Sequence, residues 1–108
     1  MKKIFDWDED ILENEEDAIA RVIESFSCPG GLDDAELHYA VYGIEDYADG
    51  SAEVVFERGG KLFAVYGSHC SCYGLEDQWE PHETDWETLA MRSDELGAYA
   101  KFMISSKN

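Results

Sequence analysis

A chain of 108 residues has room for one hydrophobic core, so residues 1–108 are expected to form a single domain. Its 44% hydrophobic and 13% aromatic content belongs to a folded protein and excludes a disordered acidic tail. Charge is the outlier: 25 acidic side chains face eight basic ones, a formal net charge of -17, where solubility alone asks for about 2–8 charges in a small domain.

That balance excludes whole classes of partner. Binding to DNA or RNA needs cations that replace phosphate counterions, and between Asp6 and Glu57 the only Lys or Arg is Arg21. An anionic membrane surface is disfavoured for the same reason. No apolar run is long enough to span a bilayer, and Met1-Lys2-Lys3 leads straight into Ile4-Phe5-Asp6-Trp7, without the apolar stretch of a secretory signal. Cys28, Cys70 and Cys72 make an odd count with no disulfide framework. A reducing, cytoplasmic setting is the expectation.

Taken in chain order, Ile11, Leu12, Ala18, Ile19, Val22, Ile23 and Phe26 recur at helical spacing with acids between them. Asp8 or Asn14 can cap this helix, and Glu15, Glu16 and Asp17 suit the positive end of its dipole. Cys28-Pro29-Gly30-Gly31 stops it. Strands are predicted over Glu36 to Ile44, Ala52 to Arg58 and Lys61 to Tyr66. Gly59-Gly60 is a two-residue hairpin signal that sets Phe56 against Phe63 and Val54 against Val65 on an apolar face. Glu53 opposite Tyr66 and Glu57 opposite Leu62 fall on a more polar face. A loop runs from Gly67 to Glu83, Thr84-Asp85-Trp86-Glu87 reads as a capping box, and Ser93 is placed to cap a last helix bearing Leu96, Tyr99, Phe102 and Met103. The order α-β-β-β-α-α predicts an α+β fold with a three-stranded antiparallel sheet and its helices on one face.

The densest chemical cluster is the segment from Gly67 to His82. His69, Cys70, Cys72 and His82 offer four zinc ligands, although Cys-x-Cys beside a histidine is not the paired knuckle of a zinc module. The alternative is a loop whose cysteines simply pack. A thiol nucleophile at Cys70 or Cys72, activated by His69 or His82, would make a small Cys-dependent enzyme. The neighbouring Glu76, Asp77, Glu80 and Glu83 oppose the thiolate such an enzyme needs. Asp6, Asp8 and Asp10 alternate as in a calcium loop without its glycine and closing glutamate. Trp7 among aspartates and Trp79 beside Pro81 are candidate exposed anchors.

The stretch Gly67-Ser68-His69-Cys70-Ser71-Cys72-Tyr73-Gly74-Leu75-Glu76-Asp77-Gln78-Trp79-Glu80-Pro81 resembles a motif of small uncharacterised proteins encoded by phages and bacteria. The hairpin from Val54 to Phe63 is similar too, and the likeness implies phage ancestry. Size and acidity alone resemble anti-restriction and anti-CRISPR inhibitors, many of which imitate DNA or plug a DNA-binding groove. The expected function is therefore protein binding, not catalysis: docking on the basic, nucleic-acid-binding surface of a host protein, with no cofactor. Glu9, Glu13, Glu16 and Asp17 on the first helix are the expected contacts, with Trp79, Glu80, Glu83, Asp85 and Glu87 in a second patch. A zinc- or redox-responsive module built on the His-Cys-Ser-Cys loop is the alternative.

Overall fold

The computed structural model describes residues 3–8, 10–27, 32, 34–44, 50–69, 74–76 and 78–106. Near the N-terminus, Phe5 and Trp7 alternate with exposed Asp6, a period of two that makes Ile4–Trp7 a strand, β1. A two-residue arm, β2 (Asp10–Ile11), folds back on it. Helix α1 (Glu15–Phe26) follows; the side chain of Asn14 accepts from the Asp17 amide at 2.8 Å, which selects Asn14 over Asp8 as the cap. The helix ends at Ser27, which adopts a left-handed conformation. The stop signal from Cys28 to Gly31 lies outside the described residues.

Strand β3 (Glu36–Ile44) runs parallel to β1, with Ile4 beside Tyr39 and Phe5 beside Ala40. Parallel neighbours cannot be joined by a tight turn, so α1 serves as the crossover between them. Strands β4 (Gly50–Arg58) and β5 (Lys61–His69) form the predicted hairpin around Gly59 and Gly60, both at positive φ. Its register sets Phe56 on Phe63, Val54 on Val65, Glu53 on Tyr66 and Glu57 on Leu62. Strand β6 (His82–Thr84) adds to the far side of β5, then α2 (Trp86–Leu89) and α3 (Glu95–Ser106) close the chain.

The three-stranded antiparallel sheet is thus corrected, among the described residues, to a six-stranded mixed sheet, ordered β2-β1-β3-β4-β5-β6, with three helices; the class is α+β overall. The helices also occupy both faces. On one, Ala18, Val22 and Phe26 of α1 pack over Trp7, Leu37, Ala40, Val54, Phe56 and Val65. On the other, Trp86, Leu89, Leu96, Tyr99 and Ala100 cover Tyr39, Val55, Leu62 and Ala64. The second face of the hairpin is therefore a core and not a polar surface. A strand buried on both sides shows a continuous apolar run instead of alternation, and Val54-Val55-Phe56 in β4 is that run.

Local caps shift as well. Asp85, not Thr84, caps α2 by accepting from the Thr88 amide at 2.7 Å. Asp94, not Ser93, serves α3 by accepting from the Gly97 amide at 3.1 Å. In each case the cap moves one residue on, to an aspartate whose carboxylate accepts from the amide three positions further along.

Tyr39 is buried against the α2–α3 face. Burial, with Glu53 and Asp94 adding to it, pushes its hydroxyl up to about 12 from the ordinary 10.0. Burial raises Tyr99 and Tyr42 too. The unfolded chain releases these protons first, so their contribution is complete below pH 10, and stability falls as pH rises toward about 12. In an alkaline titration, part of the tyrosinate absorbance is expected to rise only well above pH 10, together with loss of circular dichroism. Ionisation of all six tyrosines near pH 10 with the fold intact would contradict this packing.

Candidate functional site

Four of the described cations pair with carboxylates of the scaffold. Lys3 Nζ bridges Glu15 at 2.8 Å and Glu36 at 2.9 Å. Arg21 holds Asp10 at 2.7 Å and the Trp7 carbonyl at 3.3 Å. Arg92 binds Glu53 and Asp94, which lowers the Asp94 carboxyl by hydrogen bonding. Lys61 stands 4.0 Å from Glu83. Among the described residues, no ion pair reaches Glu13, Glu16, Asp17, Glu24, Glu80, Asp85 or Glu87.

These acids form two surfaces. Ala18, Val22 and Phe26 turn one side of α1 into the core, so Glu16, Asp17 and Glu24 line its outer side, with Glu13 just before the cap; all four are exposed. Glu24 is an addition that the sequence reading did not single out. Glu9 lies outside the described residues. The second surface, Glu80, Glu83, Asp85 and Glu87, is also exposed, from the segment before β6 to the start of α2. Asp85 and Glu87 belong to the side of the sheet opposite α1, whereas Glu83, paired with Phe63, falls on the α1 side.

Neither tryptophan stands free. Trp7 is 2% exposed, and its indole N–H donates to Ser25 Oγ at 3.0 Å, so the expectation of an exposed anchor there is corrected. Aspartates flank it in sequence, yet strand alternation turns them outward and the indole inward. Trp79 is half-buried, stacked on Phe56 at 5.7 Å with its ring edge-on to Phe26 at 5.2 Å.

The zinc candidates divide. Cys70 and Cys72 lie outside the described residues. His69 closes β5, where its Nε2 lies 2.6 Å from the Tyr42 hydroxyl. His82 is exposed on β6 and pairs with Ala64, five positions before His69 on β5, or about 16 Å at roughly 3.3 Å per residue. Ligands of one zinc ion lie within about 4 Å of one another. His69 and His82 therefore cannot share an ion.

A different cluster comes together at the start of β3. Between Leu37 and Tyr39 the register slips against β4: Leu37 faces Phe56 and Tyr39 faces Val55, leaving His38 as the extra residue of a bulge. The slip brings His38 and Tyr39 to the same face, beneath α2 and α3. His38 is 2% exposed, with Trp86 edge-on at 5.0 Å. Its Nδ1 meets the Tyr99 hydroxyl at 2.9 Å, and its Nε2 lies 3.3 Å from Glu57 Oε1 and 3.9 Å from Glu36 Oε2. Burial lowers the His38 pKa and outweighs the pull of Glu36 and Glu57, so the ring is neutral near pH 7. Hydrogen bonding to Lys3 lowers Glu36.

Sequence reading missed this cluster. Its only trace is a carboxylate and an imidazole in Glu36-x-His38; Glu57 joins them only once the register sets it opposite Glu36. No family model, curated protein or solved structure matches the chain.

Proposed function

We propose that the protein is an acidic binding module whose α1 surface docks on a basic, nucleic-acid-binding surface of another protein and occupies it, as an inhibitor encoded by a phage would. The observation that carries this reading is the exposed row of Glu13, Glu16, Asp17 and Glu24, none of them in a close ion pair among the described residues, beside a scaffold that has already used Lys3, Arg21 and Arg92. Carboxylates there take the place of phosphates at the partner's Lys and Arg side chains. The row gives short-range register because α1 is fixed to the core along its other side.

Charge density bounds the imitation. From Glu16 to Glu24 the helix rises about 12 Å at ~1.5 Å per residue and shows three carboxylates outward. The same length of duplex DNA carries about seven phosphates at one charge per ~1.7 Å. The row matches a cluster of a few basic side chains better than a full duplex footprint. Field steering then governs association more than the final affinity.

The test is a triple replacement, Glu13→Gln, Glu16→Gln and Glu24→Gln, which leaves the Asn14 cap intact. A protein captured from host lysate by the wild-type chain at low salt is expected to associate at least about tenfold more slowly with the variant. Raised salt should erase most of that difference. Equal association rates at every salt concentration would rule out the α1 surface as the docking face.

A further inference from the structure

We infer that Glu36, His38 and Glu57 form a binding site for a divalent transition-metal ion of the zinc class, separate from the acidic docking surface. The donor set is one imidazole nitrogen and two carboxylates, whose ligand atoms all lie within 4.8 Å of one another. Two ligands on a tetrahedral zinc ion stand about 3.4 Å apart for bonds of ~2.0–2.2 Å. The separations from His38 Nε2, 3.3 Å to Glu57 and 3.9 Å to Glu36, bracket that value. Gathering the ligands therefore needs side-chain adjustment of the two exposed carboxylates, not a backbone change.

The imidazole is prepared for the role. The bulge aims His38 into the cluster, and Trp86 and Tyr99 hold the ring in place. A neutral ring has one lone pair to give. When Nδ1 carries the proton and donates to the Tyr99 hydroxyl, Nε2 presents its lone pair to the carboxylates. A hydrogen-bond partner on the far ring nitrogen is the usual device for orienting a metal-bound histidine. In the absence of metal the other tautomer suits the same atoms, with Nε2–H donating to Glu57 and the Tyr99 hydroxyl donating to Nδ1. Metal binding thus relocates one proton within the ring and releases none from it.

The carboxylates make the entrance. The Glu36 side chain is 54% exposed and that of Glu57 34%, so an ion reaches buried His38 from the solvent through them. Lys3 is the resident cation, bound to Glu36 Oε2 but equally to Glu15. An incoming divalent ion displaces the ammonium from Glu36 while Lys3 keeps Glu15, so no buried charge is stranded. The imidazole ligand favours zinc-class ions over calcium or magnesium, which prefer all-oxygen sites.

Cobalt(II) is the probe, titrated into chelator-stripped full-length protein. The expected result is one equivalent bound with visible d–d bands, without the near-ultraviolet sulfur-to-cobalt charge-transfer band that cysteine ligation produces. In the amide spectrum the bound ion should broaden the Trp86 indole N–H ahead of those of Trp7 and Trp79. Glu57→Gln, at a partly exposed position that leaves the core intact, should weaken binding by more than about tenfold, and Tyr99→Phe by about tenfold or more. Glu16→Gln with Glu24→Gln should leave it unchanged. A sulfur charge-transfer band, uptake insensitive to Glu57→Gln, uniform broadening of all three indoles, or no stoichiometric uptake would each overturn the inference. Partner capture through α1 is a separate readout, so failure of either proposal leaves the other standing.

Discussion

Replacing Gly97 by alanine is expected to destabilise the fold by at least about 3 kcal/mol, beyond the usual range for an added methyl group. A Cβ at Gly97 would lie 2.0 Å from the Arg92 carbonyl oxygen and 2.7 Å from its carbon. The obstacle is backbone, so no rotamer change relieves it. The carbonyl cannot retreat easily either: the Arg92 amide donates to the Leu89 carbonyl at 3.1 Å, and its guanidinium is clamped by Glu53 and Asp94. Asp94 in turn receives the Gly97 amide. One methyl group therefore strains the α2–α3 corner and the cap of α3 together, and Leu96, Tyr99 and Ala100 lose their seating on β4 and β5. Small domains have only about 5–15 kcal/mol in total. Urea unfolding should show a much lower midpoint for Gly97→Ala, whereas Gly43→Ala, with nothing within 4 Å of its new Cβ, should stay within about 0.5 kcal/mol of the wild type. Equal midpoints for Gly97→Ala and the wild type would show that the corner is built differently.

Phe26→Ala is the second large effect, expected at about 3–5 kcal/mol. Phe26 is fully buried at the last turn of α1, 6.4 Å from Trp7 and 5.2 Å from Trp79. Beneath it lies Gly67, where any Cβ would stand 3.0 Å from the Phe26 ring and 3.0 Å from Leu75. The glycine thus makes room for the aromatic ring, and removing the ring leaves a cavity that a β-strand backbone cannot close. Trp79 loses one of its two ring contacts and keeps only the stack on Phe56. Urea unfolding followed by tryptophan emission should show both the lowered stability and a red-shifted native spectrum as Trp79 gains solvent. An unshifted spectrum with wild-type stability would contradict the packing of α1 over the sheet.

What the sequence made legible follows from how local each signal was. The Gly59-Gly60 turn set the β4–β5 register residue by residue, because a two-residue hairpin permits only one. The apolar spacing of α1 from Ala18 to Phe26 and its Asn14 cap were also readable, since both depend on neighbours within a few residues, whereas Ile11, read into the same spacing, belongs to β2. Strand β1 was not, because an alternation only four residues long is too short to announce a strand and its partner β3 lies beyond a whole helix. Strand β6, His82-Glu83-Thr84, is recruited by the edge of β5 and carries no strand-like composition. The second core was hidden for a related reason: a two-faced sheet needs tertiary knowledge of where α2 and α3 return.

The candidate sites divide along the same line. Exposure of Glu13, Glu16, Asp17, Glu80, Glu83, Asp85 and Glu87 could be anticipated, since acids between apolar helix positions or in turns face water. The placement of Asp85 and Glu87 on the side of the sheet opposite α1 could not. His38 sat unremarked in an apolar strand because the bulge that redirects it exists only in the ladder with β4.

The measurement closest to the proposed function is the association rate of the captured basic protein with the wild-type chain and with Glu13→Gln/Glu16→Gln/Glu24→Gln, followed across ionic strength. A steep decline with salt for the wild type and a shallower, slower line for the variant are predicted, the two converging at high salt. Superimposable lines would contradict an electrostatic docking face on α1.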